Sequence, residues 1–179
     1  MHRVPSIAEK AEVEKLPHWA RVALAARCAK RLQPVLGRTW TDSSKEDIET
    51  IDNAITLVET AAKNAESIKN FQNLMDDILC VLKNFKSYVR TQKVQTEKHP
   101  AYYCIHVVYC ALRSVHERSV GDRAWEACDC CEKIGDLCYG PSYRDNLLRH
   151  ISWDIEKLKT QSSWRDSTPV PQESLGTCK

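Results

Sequence analysis

A chain of 179 residues with 26 basic and 24 acidic side chains carries a formal net charge of +2, which supplies no global electrostatic reason to seek a nucleic acid or an anionic membrane as partner. The longest uncharged run, His99 to Leu112, spans 14 residues and falls short of the ~20 that a membrane-spanning helix needs. The N-terminal stretch is charged throughout and lacks the apolar core of a secretory signal, and nine irregularly spaced cysteines do not make a secreted disulfide framework, so a cytoplasmic protein with reduced thiols is expected.

The first helix is predicted from about Pro17 to between Pro34 and Gly37, with Val22, Ala25, Ala26, Ala29 and Leu32 facing inward. Ser43 and Glu46 have the spacing of a capping box and open a second helix at Ser43. Its apolar positions Ile48, Ile51, Ile55, Val58 and Ala62 advance in steps of three and four. Two successive steps of three, Ala65 to Ile68 to Phe71, shift the phase and predict a break near Asn64 to Ser67. A third helix then carries Met75, Ile78, Leu82, Phe85 and Val89 inward.

The segment 100–118, "PAYYCIHVVYCALRSVHER", is apolar nearly all round and is predicted to be the central helix. A fifth helix runs from Asp122 to Tyr139, where Gly140-Pro141 ends it. The sixth places Leu147, Leu148, Ile151, Ile155 and Leu158 inward. After Thr160 the composition turns to Ser, Thr, Pro and Gln, which reads as an extended tail. The fold class is therefore all-α: one bundle or array of about six helices over residues 1–160, followed by an irregular tail at 161–179.

Four cysteines crowd into "ACDCCEKIGDLC", residues 127–138. On a helix Cys128, Cys131 and Cys138 share one stripe, bordered by Ala124, Ala127 and Ile134, while Cys130 points elsewhere. Reduced cysteine behaves as a small hydrophobe, so a packed seam is the first expectation, with no cofactor. A metal set would use Cys128 and Cys131, completed by Cys138 and by Cys104 or His106. An isolated C-x-x-C pair without a second pair argues against that set. His106 shares a face with Tyr102 and Tyr109, an arrangement suited to a buried histidine held by a neighbouring polar group.

Phosphate-binding glycine loops and the esterase elbow are missing from the sequence. Among the basic residues near the first helix, Arg27, Lys30 and Arg31 are the candidates for contact with nucleic-acid phosphates, although no aromatic residues interleave them.

Two stretches carry a resemblance. "WARVALAARCAKR" at 19–31 and "WRDSTPVP" at 164–171 resemble the W-A-x-x-A-x-A-A-R-C-A-x-R start and the W-x-D-x-T-P-V-P end of a group of uncharacterised all-helical bacterial proteins of planctomycete type. The first two helices are also faintly similar to helical bacterial immunity proteins. The first resemblance implies a helical fold, a bacterial source and a tail that docks, and no catalytic residue. The second implies a protein partner.

The expected function is a non-enzymatic protein-binding module, an immunity or regulatory partner of an unidentified protein. Trp164, Asp166, Thr168, Pro169 and Pro171 are the expected contacts. Metal binding at the cysteine cluster and weak nucleic-acid binding are the alternatives.

Overall fold

Periodic burial follows the periodic sequence. The computed structural model describes residues 10–117, 122–138, 140–160, 167–170 and 175–176. Seven α-helices occur among them: α1 (Lys10–Glu14), α2 (His18–Thr39), α3 (Lys45–Asn64), α4 (Phe71–Thr91), α5 (Pro100–His116), α6 (Asp122–Cys138) and α7 (Gly140–Thr160), with a 3-10 turn at Thr96–Lys98 before α5. No strand occurs among the described residues, and the fold is all-α. The five-residue α1 adds to the six helices expected; its Val13 joins the core.

Helix α2 runs past its expected end, through Pro34 and Gly37 to Thr39. Proline removes one helical hydrogen bond. Pro34 and Lys30, whose carbonyl loses that donor, both lie on the exposed side, where water can satisfy it. The end itself is secured by the Trp40 N–H donating to Leu36 O (2.9 Å) and the Thr39 hydroxyl donating to Val35 O (2.8 Å).

The capping box sits one residue later than expected. Ser43 is occupied with the end of α2, its hydroxyl donating to Trp40 O at 2.8 Å. Ser44 therefore caps α3: its Oγ accepts from the Asp47 N–H (3.0 Å), and Asp47 Oδ2 accepts from the Ser44 N–H (3.2 Å). The other Asp47 oxygen accepts from Asn84 Nδ2 (3.0 Å), which ties this corner to α4. The predicted break between α3 and α4 is present, marked by left-handed Ala65 (φ 54°) and Asn70 (φ 55°).

Two helices share the centre. In α5, Ala101, Cys104, Ile105, Val108 and Leu112 are among the buried side chains, and the helix packs against α2, α3, α4 and α6. Helix α2 is equally enclosed, packing against α3, α5, α6 and α7. Its alanines at 20, 23, 25, 26 and 29 are almost wholly buried. Small side chains let neighbouring backbones approach from several directions, which an ordinary amphipathic helix would not permit.

Helix α6 connects this centre to α7, and Gly135 governs how closely the two approach. A Cβ at Gly135 would stand 2.8 Å from Arg144 Cβ and 2.9 Å from Arg144 Cα. The second of these is backbone and cannot swing away. Gly135→Ala is therefore expected to destabilise by about 1–3 kcal/mol, the ordinary range for overpacking, although alanine is the better helix former. A denaturant midpoint equal to or above that of the parent protein would contradict this.

Candidate metal centre

Helix α6 lies between α2 and α5, and its cysteines divide between those two neighbours. Cys128 and Cys131 turn toward α2, where Cys128 Sγ stands 3.9 Å from Cys28 Sγ and the Cys131 thiol faces the Cys28 carbonyl at 4.0 Å. All three are fully buried. Hydrogen bonds from the Cys128 and Cys131 thiols hold the Cys28 thiol well below the usual thiol range, with further help from the Arg31 charge. The same bond to Cys28, followed by burial, pushes Cys128 up; burial foremost pushes Cys131 up.

The remaining members of the expected cysteine set lie apart. The Cys104 thiol donates to Leu32 O at 3.4 Å, and burial raises its pKa. Cys138 is half-buried at the end of α6. Cys128, Cys131, Cys138 and Cys104 therefore do not converge as one ligand set. Neighbouring positions on a helix with two buried sides are sent to different partners.

His106 belongs to another group. Its Nε2 lies 3.8 Å from Cys110 Sγ, and the Cys110 thiol donates to Glu126 Oε2 at 3.5 Å. These three ligand atoms lie within 4.8 Å of one another, the one such group of three among the described residues. His106 and Cys110 are four residues apart on α5, and Glu126 and Cys130 are four apart on α6, so each pair presents itself on one helix face. Cys130 is buried, and the proximity of its thiol is felt by Cys110.

Two of the three edges of this group have the length expected in a tetrahedral zinc site. Zinc bonds of about 2.3 Å to sulfur and 2.0–2.2 Å to nitrogen or oxygen set ligand–ligand edges of roughly 3.6 Å, close to the 3.8 and 3.5 Å observed. The imidazole is held in plane by Tyr102 and Tyr109, whose rings stack on it with centroids 5.6 and 5.9 Å away. Burial lowers the His106 pKa, favouring the neutral ring that a metal requires. The Cys110 thiol is pushed upward by the neighbouring Cys130 thiol and by burial, so metal binding there would displace a proton. Arg123 donates to Glu126 Oε2 at 2.7 Å and to Glu117 Oε2 at 3.0 Å, which orients the carboxylate from outside.

The basic residues expected to meet nucleic acid are placed otherwise. Arg27 Nε and Arg31 Nη1 both donate to Asp154 Oδ2, at 2.9 and 2.6 Å, with all three side chains at most 2% exposed. Arg27 and Arg31 are thus internal structural cations, withdrawn from any duplex backbone. Lys30 alone of the three is exposed.

Trp164, Asp166 and Pro171 lie outside the described residues. Thr168 is half-buried and Pro169 exposed, and the next residue, Val170, is buried with its N–H donating to Ala62 O at 2.7 Å. Leu175 is buried as well. The Gly176 carbonyl accepts from Arg27 Nη1 at 3.0 Å. The described part of the tail docks on its own bundle.

Glu126 and Cys110 were missed in the sequence. The signal that could have found them is an i, i+4 ligand pair, H-x-x-x-C, with a carboxylate on the next helix. No helix among the described residues is long and apolar enough to cross a membrane. No family model, curated protein or solved structure matches the chain.

Proposed function

We propose that this protein is a metal-binding helical protein that holds one zinc-like divalent ion between α5 and α6, with His106, Cys110 and Glu126 as ligands. The observation that carries this reading is the convergence of an imidazole, a thiol and a carboxylate from two helices within 4.8 Å. Nitrogen and sulfur donors suit zinc better than magnesium or calcium. The ion would join α5 to α6 in the core of the bundle, so its binding energy would add to the stability of the fold.

The test is a titration of metal-free, tag-free protein with Co2+, whose thiolate and d–d absorption reports tetrahedral sulfur ligation, followed by displacement with Zn2+. One equivalent per chain is expected. Loss of an outer-shell partner commonly weakens a site 10–100-fold, so His106→Ala or Cys110→Ala should lose at least about 100-fold in affinity. Cys128→Ala, which alters only the α2 seam, should bind as the parent protein does. Absence of the absorption bands, or equal affinity in Cys110→Ala, would overturn the reading.

A role as a module for a protein partner draws less support, since Val170, Leu175 and Gly176 are engaged with the chain's own helices. The large exposed apolar side chains Leu79, Val94, Leu137 and Trp153 sit on separate segments of the chain and make no sequence-continuous docking stripe.

A further inference from the structure

A tetrahedral ion takes four donors, and the α5–α6 group supplies three. No further histidine, cysteine or acidic ligand atom among the described residues lies within 4.8 Å of those of His106, Cys110 and Glu126. Four protein ligands close a zinc site and make it structural, whereas three leave a place for water or for a molecule from outside. The number of donors therefore decides the class of site.

The group also reaches the surface. Cys110 is fully buried and forms its inner corner. His106 is half-buried, as are Tyr102 and Tyr109 beside it. The Glu126 side chain is 32% exposed, and Arg123, which holds that carboxylate from outside, is 26% exposed. Two of the three ligands are thus in touch with solvent, unlike the fully buried thiols of the α2 seam. Charge points to the class of ligand. A divalent ion brings two positive charges, the Cys110 thiolate and the Glu126 carboxylate one negative charge each, and the neutral imidazole none, so the loaded centre is neutral and does not repel an anion. Around it Arg123 is offset by Glu117 and Lys133 by Asp129, at 3.0 and 2.7 Å.

We infer that the α5–α6 ion keeps its fourth coordination position open to solvent, where it holds a water molecule that a small monodentate anion, such as a carboxylate, replaces. This rests on the metal-binding reading above and goes beyond it. The ion is then a place where an outside molecule meets the protein, as well as a cross-link between two helices.

The experiment titrates the full chain, loaded with one equivalent of Co2+, with sodium azide, thiocyanate and acetate in turn, and measures the cobalt that passes an ultrafiltration membrane. A saturable change in the d–d bands is expected with at least one anion, half complete between about 1 and 50 mM, with the cobalt retained by the protein. Cys130→Ala should bind Co2+ within about tenfold of the parent protein and show the same anion response. If the bands form and all three anions leave them unchanged up to about 100 mM, or only strip the cobalt, the metal-binding reading stands and the open position is overturned. A response that appears only in Cys130→Ala would overturn it too, because that thiol would then fill the position in the parent protein. If no cobalt bands form at all, the metal-binding reading fails first and this inference falls with it.

Discussion

Asp154→Ala is expected to cost about 3–5 kcal/mol of folding stability, because it removes one partner of a buried ion cluster and leaves the others uncompensated. Arg27 and Arg31 both donate to the same oxygen, Oδ2, at 2.9 and 2.6 Å, and Asp154 is 0% exposed. Two buried guanidiniums would then lack their shared counter-charge. In a domain of this size a loss of that order lowers the melting temperature by roughly 6–20 °C. The tail should loosen as well, since Arg27 Nη1 also holds the Gly176 carbonyl. Proteolytic nicking near 170 is the local readout of that effect.

The sign changes if the whole cluster is replaced. Taking charges out of water is costly, and well-packed apolar substitutes for a buried ion cluster are often neutral or stabilising. The triple replacement Arg27→Met, Arg31→Met, Asp154→Leu should therefore lie closer to the parent protein than Asp154→Ala alone. Thermal melting of both variants decides the matter. A triple variant less stable than the single would mean that the cluster contributes net stability and does more than set the register of α2 against α7.

Phe85→Ala should cost a similar amount, about 3–5 kcal/mol. Phe85 is fully buried on α4. It meets Trp40 edge-on with centroids 5.4 Å apart and His99 edge-on at 5.2 Å, and Tyr88 lies 6.4 Å away. One ring thus joins the end of α2 to the start of α5. The surrounding rings are anchored on different helices and cannot all collapse into the vacated space, so a cavity term adds to the lost transfer energy. Phe85→Leu, which keeps most of the volume, should cost less than half as much.

His99 offers a second readout for the same substitution. Burial holds its pKa below the usual 6.5. The unfolded chain therefore takes up a proton at higher pH than the folded one does. The His99 contribution is present above about pH 6.5 and is lost as the pH falls through and below that value. Opening the aromatic corner with Phe85→Ala should let the His99 pKa rise back toward 6.5 and weaken that acid sensitivity, measurable from the imidazole resonances.

Much of the helical architecture was legible in the sequence. The apolar steps of α3, α4 and α7 placed their inner faces correctly, because residues three and four apart share a face of any helix, whatever surrounds it. The phase shift at Ala65 to Phe71 located the break, since a helix cannot keep one stripe facing a single neighbour through two consecutive steps of three. The cap of α3 was displaced by one residue because Ser43 found a stronger local partner in the Trp40 carbonyl. The role of Gly135 was invisible, for it depends on the backbone of Arg144 on another helix.

The candidate site was legible only in part. His106 stood out by its face shared with Tyr102 and Tyr109, and the stacking of the three rings agrees with that placement. The C-x-x-C spacing drew attention to Cys128 and Cys131, although their thiols meet Cys28, about 100 positions away. Arg27 and Arg31 looked like a surface cluster because charged side chains usually seek water; Asp154, 123 positions beyond Arg31, draws them inward.

By itself the sequence determined the all-α class, the helical faces and most of the helix ends, all of which follow from periodicity and local backbone hydrogen bonding. Only the tertiary structure decided that α2 shares the centre with α5, that α6 sends two cysteines to one neighbour and a third to the other, and that Cys110, Glu126 and His106 converge. Periodicity specifies a residue's direction about its own helix axis. Which side chain meets it there depends on how neighbouring helices rotate and cross, and that is settled by packing among residues far apart in the chain.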